Sequence, residues 1–432
     1  MKNHPHNNFR SNSKKLSLRE LFFIALGGQS PFISLISFGT FAIIIAGRFA
    51  VVSTIIAMIL VLLNATVIYF LAKRITRVGG YYSYAFFGLS ERMGFQAGWS
   101  YALFGISYGT SLMTGGAYIF HLLTGINEFL TAIIVLLIAL LLLLLGVNIS
   151  AKYAEIVSFG ELIVIFILAI FFIITSGYNF YNPFIENIDN DKLLYSILFG
   201  ISLVSGYEAL NPLSQETKEA RKAVGLASIL AVLVSSIVIA IFFYSLGSIY
   251  FTGNLTQFLL ERFGIIGAIG VSTVAISDAV LGCLVFMIAV SRVIYAMAMD
   301  KFIPEFFSKN WRNKPIFAEL LSYASFALVI LPLTYALGLY NTLEITGSLS
   351  GLSNFIIHLE ANFALLRISL RRIKKRIPEL LTSLSATLLS TYFLIYSIPI
   401  LANIVVYIFF TWIIFGFLYL EALDIIKDTE EE

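Results

Sequence analysis

Long apolar stretches alternate with short polar segments along almost the whole chain. A helix needs about 20 mainly apolar residues to cross a bilayer. Twelve segments have that character, so the pattern predicts an all-α integral membrane protein with twelve transmembrane helices. The predicted spans cover residues 21–46, 50–72, 97–123, 129–147, 154–176, 193–213, 224–248, 265–298, 317–337, 342–366, 379–399 and 401–421.

Two of these spans contain residues that interrupt a helix. The first span carries the sequence GGQSP at Gly27–Pro31, and the sixth carries SGYE at Ser205–Glu208. A broken helix leaves main-chain N–H and C=O groups unpaired, which is tolerated at membrane depth only inside protein or beside a water-filled cavity. Breaks at corresponding places in two halves of a membrane protein indicate a binding site.

The positions of the breaks predict an internal repeat. If spans 1–5 form one unit, the sixth span opens the next, and an odd number of helices per unit turns the second copy upside down. We expect a ten-helix core at residues 19–366, made of inverted repeats at about 19–177 and 193–366, with two further helices at 367–422. The alternative is two unrelated Gly/Pro kinks, because both residues are common in membrane helices.

Composition supports the membrane assignment. Apolar residues make up 59% of the chain and charged residues 12%, against about 25% charged residues in soluble proteins. The single cysteine, Cys283, excludes an intrachain disulfide and any metal site built from several cysteines. The net charge of +3 gives no case for nucleic acid, because the basic residues lie between the spans. The expected partners are the bilayer and a small molecule, and the chain is expected to be a monomer or a homodimer.

The distribution of Lys and Arg predicts the orientation. One set of alternating loops holds most of the basic residues, whereas the opposite set keeps only Arg48, Lys192 and Arg262. Basic loops stay in the cytoplasm, so we expect both termini there, in a plasma-membrane protein. The polar ends, residues 1–18 and 423–432, are predicted to be disordered tails. The basic cluster at 371–376 is interpreted as a stop-transfer anchor in preference to a lipid-binding site.

Three local motifs resemble one family. Residues 77–84 (RVGGYYSY) with 94–99 (GFQAGW) are similar to the pattern GG-x-Y-x-Y … GF-x-x-GW of the amino acid–polyamine–organocation (APC) superfamily. Residues 204–222 (VSGYEALNPLSQETKEARK) resemble its pattern G-F-E … E-x-x-N-P. Residues 291–304 resemble S-R-x-L-Y-A-M-A-R-D-x-x-x-P. The resemblance covers about residues 18–366 and implies a LeuT-like fold and an amino acid permease.

Two positions depart from the family pattern. The first break usually reads G-[SA]-G-I-F in the family, but Gln29–Ile33 reads QSPFI here. Several members carry a bulky aromatic gate four residues before the glycine of span 6, and this chain has Ser202 there. Gating would then pass to Phe199 or Tyr207, or work in a different way.

The polarity of the two breaks predicts how an amino acid would be bound. The half-helix after Pro31 offers N–H groups and a positive dipole end to a carboxylate, and the half-helix ending at Val204 offers carbonyl groups to an ammonium. Span 3 would select the side chain, and no obvious counter-charge is present, so a neutral or apolar amino acid is expected. The predicted substrate-binding residues are Gly28, Gln29, Ser30, Pro31, Phe32, Phe104, Tyr108, Ser202, Val204, Ser205, Gly206 and Tyr207.

Charged residues inside spans are rare and usually functional. Glu161 in span 5 and Asp278 in span 8 are the predicted ion-coupling residues. Burial disfavours the charged form of a carboxyl group, which suits reversible protonation, although the same group could hold sodium or make a fixed hydrogen bond to span 1 or 8. By resemblance, Glu208 joins a polar network that supports the broken helix. Glu344 and the His358/Glu360 pair are expected at the membrane interface, with no metal site.

These observations predict a secondary active amino acid transporter that works by alternating access, with a proton, in preference to sodium, as coupling ion and no cofactor. Catalytic motifs such as H-E-x-x-H, G-x-S-x-G and the Walker loop are absent, so we expect no enzyme. The repeated pore loop of a channel is absent as well. The alternative is a protein of the same fold that exchanges its substrate or carries a polyamine, a nucleobase or another organic cation.

Overall fold

The computed structural model describes residues 15–185, 188–311 and 314–431. Within these ranges the ordered backbone is helical, apart from two isolated bridges. The helices are α1 (Leu18–Gln29), α2 (Pro31–Ser34), α3 (Thr40–Ala46), α4 (Ala50–Ala72), α5 (Tyr81–Gly88), α6 (Glu91–Thr124), α7 (Glu128–Leu145), α8 (Val147–Thr175), α9 (Asn190–Val204), α10 (Ala220–Ser248), α11 (Leu255–Met299), α12 (Ile316–Leu370), α13 (Ile377–Ser397) and α14 (Asn403–Glu431). A π-helical turn at Leu35–Gly39 joins α2 to α3, and a 3₁₀ segment at Tyr207–Glu216 follows α9.

Nine helical stretches in the described ranges are long and apolar enough to cross a membrane. Two of them, Leu18–Ala72 and Ile316–Leu370, are each 55 residues long, well over twice the length that a bilayer needs. Each contains a glycine with positive φ, Gly47 at 51° and Gly338 at 80°, between two predicted spans. The separate spans predicted at 21–46 and 50–72, and at 317–337 and 342–366, are thus joined by a kink instead of a loop.

Apolar side chains cover the outside of the bundle. Leu137, Leu141, Ile156 and Ile167, on α7 and α8, are all more than half exposed. Exposed apolar surface on this scale is unusual for a soluble protein, and in a bilayer it contacts lipid. The interior lies around α6 and α11, where nearly every residue from Asp278 to Ala298 is buried.

The ends of the chain differ from the predicted tails. Residues 1–14 lie outside the described ranges, but Leu16 is fully buried. Its N–H donates to the carbonyl of Glu216 and its carbonyl accepts from the N–H of Lys218, both at 2.8 Å. Residues 15–18 therefore belong to the folded part, because an apolar side chain and two main-chain hydrogen bonds hold them. At the other end α14 continues to Glu431.

The two predicted breaks contact each other at the centre of the bundle. A Cβ atom added to Gly28 would overlap the carbonyl oxygen of Gly206, and one added to Gly206 would overlap the carbonyl of Gly28. Gly206 also has φ 114°, a conformation that side chains other than glycine rarely adopt. The close approach of the two main chains therefore requires glycine on both sides.

Replacing either glycine should destabilise the protein. We expect Gly206→Ala to lower the free energy of unfolding by about 3 kcal/mol or more, since strain and overlap add, and Gly28→Ala to act in the same direction. Gly160→Ala is the matched control, because nothing lies within 4 Å of its added Cβ. Size-exclusion chromatography of detergent-solubilised protein after heating measures the effect. A Gly206→Ala protein as heat-resistant as the Gly160→Ala protein would contradict the contact.

Candidate substrate and coupling site

The first break is made by Ser30 and Pro31. Ser30 has φ 42° and ψ 67°, a left-handed conformation that ends α1, and Pro31 starts the next helix without an N–H. The hydroxyl of Ser30 donates to the carbonyl of Gly27 at 2.9 Å, and the hydroxyl of Ser34 donates to the carbonyl of Gln29 at 2.7 Å. Serine side chains thus pair two of the carbonyl groups around the break.

Two buried carboxyl groups bind the N–H groups after this break. Phe32 N–H donates to Glu161 Oε2 and Ile33 N–H donates to Asp278 Oδ2, each at 3.2 Å. The expectation that these N–H groups are unpaired is therefore wrong. The positive end of a helix attracts any anion, and α8 and α11 place two acidic side chains beside it. Both predicted ion-coupling residues reach the first break.

Glu161 and Asp278 lie close enough to interact electrostatically, and both residues are at least 99% buried. No donor in the described part of the chain reaches Glu161 Oε1 or Asp278 Oδ1. Contact between two carboxyl groups is a hydrogen bond only when one of them carries a proton, and two adjacent buried carboxylates repel each other. The pair is therefore suited to bind a proton or a small cation.

The second break follows α9. Ser205 is extended, Gly206 has positive φ, and a 3₁₀ segment begins at Tyr207. The carbonyl of Val204 accepts from Gln29 Nε2 at 2.7 Å. The hydroxyl of Tyr108 lies 3.0 Å from the carbonyl of Ser205 and 3.0 Å from that of Ser202.

The expectation that the carbonyl groups at this break are unpaired is also wrong, because side chains of α1 and α6 donate to them. Gln29, Tyr108, Ser202, Val204 and Ser205 were all predicted at the site, and the structure does bring them together. The bond of Gln29 joins the two breaks, and the bonds of Tyr108 join α6 to the second break.

Phe104 has a packing role in this arrangement. Its ring stacks on Tyr108 with centroids 5.5 Å apart and meets Phe286 of α11 edge-on at 5.6 Å. A Cβ added to Gly105 would overlap the Val290 side chain, and a Cβ added to Gly109 would overlap the Phe286 side chain. This face of α6 is therefore fitted against α11, with Tyr108 at the edge nearest the second break.

A third buried acidic residue, Glu208, stabilises the second break through hydrogen bonds. Its Oε2 accepts from the N–H of Gly206 at 2.5 Å, and its Oε1 accepts from Asn354 Nδ2 at 2.8 Å. His358 Nε2 lies 2.9 Å from the same Oε1. With Glu208 ionised, His358 Nε2 carries a proton, because a carboxylate can only accept. The network that the resemblance assigned to Glu208 thus has partners on α12.

The interfacial position expected for His358 and Glu360 is wrong. His358 is 1% and Glu360 6% exposed, whereas Glu344 is exposed. The second part of α12 packs against α6, which buries this part of the helix. The spacing of Asn354 and His358, four residues apart on one helix face, is a signal in the sequence that could have paired them.

The two alternative gate residues have different surroundings. Phe199 stacks on Phe41 with centroids 5.2 Å apart, and Phe41 is 41% exposed. Tyr207 is fully buried, and its hydroxyl lies 3.4 Å from His358 Nε2. Tyr207 therefore joins the Glu208 network, while Phe199 lies toward the surface of the bundle. The gating role of either residue stays a prediction.

Comparison with known proteins is informative about the family. The model of the family described as "Amino acid permease" matches residues 20–423. The chain belongs to this family. The permease resembles the crystal structure of a histidine-to-alanine variant of the Eremococcus coleocola manganese transporter, with a TM-score of 0.55, 14% identity and 97% of each chain covered. At that identity the likeness shows the fold alone. No curated protein matches the sequence.

Family membership establishes that the protein is a transporter and that it lies in a membrane. Amino acid permeases are transporters, and the apolar helices make this one a multi-pass membrane protein that handles a small molecule. Among the described residues, no three His, Cys, Asp or Glu side chains form a group that could hold a metal ion.

The pairing of Glu208 can be tested by replacing His358 in the permease. His358→Leu leaves a buried carboxylate short of a donor, which costs about 3 kcal/mol of stability, whereas His358→Gln keeps an N–H donor of similar reach and should recover most of it. Thermal unfolding in detergent measures both. Equal stability of the Leu and Gln variants would contradict the pairing.

Proposed function

We propose that the chain is a secondary active transporter that moves a neutral or apolar amino acid together with a proton by alternating access. The proposal includes twelve spans, ten of them in two inverted repeats, and a plasma-membrane location with both termini in the cytoplasm. Membership of the amino acid permease family supports it. So does the meeting of two helix breaks inside an apolar bundle, since such breaks mark substrate sites in transporters.

The proposed coupling of proton and substrate rests on one observation. The N–H group of Phe32 donates to Glu161, and the N–H group of Ile33 donates to Asp278. Hydrogen bonds to an ionised carboxylate are roughly twice as strong as those to a neutral group. A proton on one carboxyl group of the pair therefore weakens the hydrogen bond which that group accepts, and the carboxylate of an amino acid can replace it on that N–H group. The proton and the substrate then bind together.

The other charges near the breaks have partners of their own. Arg292 is ion-paired with Glu216 at 2.6 Å and with Glu319 at 2.7 Å, and Glu208 is held by His358. These charges are unsuited to bind a charged substrate side chain without breaking a buried pair. The rings of Phe104 and Phe286, which pack against each other beside Tyr108, are apolar. Both features favour a substrate with an uncharged side chain.

A second candidate function rests on the unpaired carboxyl oxygens themselves. Glu161 Oε1 and Asp278 Oδ1 have no hydrogen-bond partner among the described residues. They can accept hydrogen bonds from an ammonium group as well as take up a proton. An organic cation, such as a polyamine or a protonated nucleobase, would then be the substrate, in an exchanger or transporter of the same fold. Sodium at the pair is the alternative for coupling.

Substrate choice separates the two candidate functions. In proteoliposomes preloaded with a mixed pool of amino acids, we expect counterflow of neutral amino acids such as alanine, leucine or phenylalanine. Arginine, glutamate and the polyamine putrescine should exchange poorly, because the proposal gives the Glu161–Asp278 pair to the coupling proton, and Arg292 and Glu208 are already held in buried ion pairs. Preferred counterflow of arginine, glutamate or putrescine would contradict the assignment.

Coupling can be tested at the carboxyl pair. Glu161→Gln and Asp278→Asn imitate the protonated state, so both variants should still exchange substrate but lose accumulation driven by an inward pH gradient. Glu344→Gln is the matched control, since it makes the same change at an exposed position of α12. Uptake of a labelled amino acid, measured with the proton and sodium gradients collapsed in turn, distinguishes the coupling ions. Full gradient dependence in the Glu161→Gln protein would exclude a coupling role for Glu161.

A further inference from the structure

A histidine and a glutamate lie close together where α6 ends and α7 begins. His121 Nε2 is 3.6 Å from Glu128 Oε1, and the two side chains are 29% and 31% exposed. That separation is too long for a hydrogen bond. Zinc bonds to histidine nitrogen and carboxylate oxygen at about 2.0–2.2 Å in a tetrahedral arrangement, which places two such ligands about 3.4 Å apart. The pair therefore has nearly the spacing of two ligands of one zinc ion.

The hydrogen bond of His121 fixes which ring nitrogen can bind a metal. Nδ1 lies 2.6 Å from the carbonyl oxygen of Ile126. A carbonyl can only accept, so Nδ1 carries the proton, and in the neutral ring Nε2 keeps its lone pair. A histidine that binds a metal typically donates its other N–H in this way. The nitrogen with the lone pair is the one that lies beside Glu128.

The carboxylate of Glu128 is oriented by a main-chain group as well. Its Oε2 accepts at 2.8 Å from the N–H of Leu339, the residue that follows the kink at Gly338. A Cβ added to Gly338 would lie 2.9 Å from that oxygen, so the glycine permits the close approach. Oε1 is the oxygen on the side of His121. Each candidate ligand thus has its second polar atom held by the main chain, which is typical of metal sites.

A cavity lies beside the pair. Its volume is about 530 Å³, and Asn127, Thr334 and Tyr335 line it together with the two side chains. Thr334 is 4% exposed, and its hydroxyl has no partner among the described residues. In the described part of the chain no third His, Cys, Asp or Glu joins the pair, so water would complete the coordination of an ion here. The hydroxyl of Thr334 is suited to bind such a water.

We infer that His121 Nε2 and Glu128 Oε1 are ligands of a zinc site that joins the α6–α7 connection to the kink of α12. The site uses none of the residues of the two breaks, so the inference does not depend on the proposed function. A pair of nitrogen and oxygen ligands suits zinc, whereas magnesium and calcium prefer oxygen ligands alone. With water in the other positions the site binds zinc reversibly, unlike the closed four-ligand sites of structural zinc.

The test is isothermal titration calorimetry of the detergent-solubilised protein, purified without a histidine tag. We expect zinc chloride to bind to the unmodified protein and magnesium chloride not to bind. His121→Gln and Glu128→Gln should each weaken zinc binding at least about tenfold, because each removes one of two protein ligands. The double variant His4→Gln/His6→Gln is the matched control, since it removes two histidines elsewhere in the chain, and it should keep the affinity.

Unchanged zinc affinity in either single variant would overturn the inference, as would the absence of binding to the unmodified protein. Loss of binding in the control alone would assign the zinc to the N-terminal histidines and overturn it too. If a single variant does not fold, modification of His121 by diethyl pyrocarbonate in the unmodified protein decides. Zinc should slow this modification, measured by mass spectrometry, because it occupies Nε2. An equal rate with and without zinc would contradict the site.

Discussion

Main-chain groups that leave a helix inside an apolar bundle have to be paired, and this constraint shapes the centre of the molecule. Two helices break side by side, at Ser30 and at Gly206, where glycine lets the main chains touch. Water cannot supply the missing hydrogen bonds in hydrocarbon. Side chains supply them instead: carboxyl groups at the N–H end of the first break, and an amide and a phenol at the carbonyl end of the second.

Under the proposed mechanism, the substrate competes with the protein's own side chains for the main-chain groups of the two breaks. An amino acid carries the same two chemical poles as the side chains that occupy the breaks, a carboxylate and an N–H donor. Under the proposed mechanism, the substrate carboxylate gains access when a proton binds one carboxyl group of the Glu161–Asp278 pair and weakens the hydrogen bond that this group accepts. In the same mechanism, the substrate ammonium meets the main-chain carbonyl groups at the second break. Coupling then arises from exchange of hydrogen bonds at one place and needs no long pathway through the protein.

The sequence predicted the local features well and the long-range partners poorly. Gly, Ser and Pro located both breaks, since they act on their own backbone, and the apolar run from Ala50 to Ala72 matches α4. The partners of Phe32 and Ile33 are 129 and 245 residues away. No periodicity reveals which helix faces which break, so the N–H groups looked free. His358 looked interfacial for the same reason, because its burial depends on α6 packing against α12.

The most direct measurement is the number of protons taken up when substrate binds to the detergent-solubilised protein. Calorimetric titration with a transported amino acid, repeated in buffers of different ionisation enthalpy, gives this number at each pH. If the substrate carboxylate replaces Glu161 and Asp278 on the N–H groups of the first break, binding takes up a proton at any pH where the pair is ionised, and affinity falls as the pH rises. Substrate binding with no proton uptake and no pH dependence across the neutral range would contradict the account.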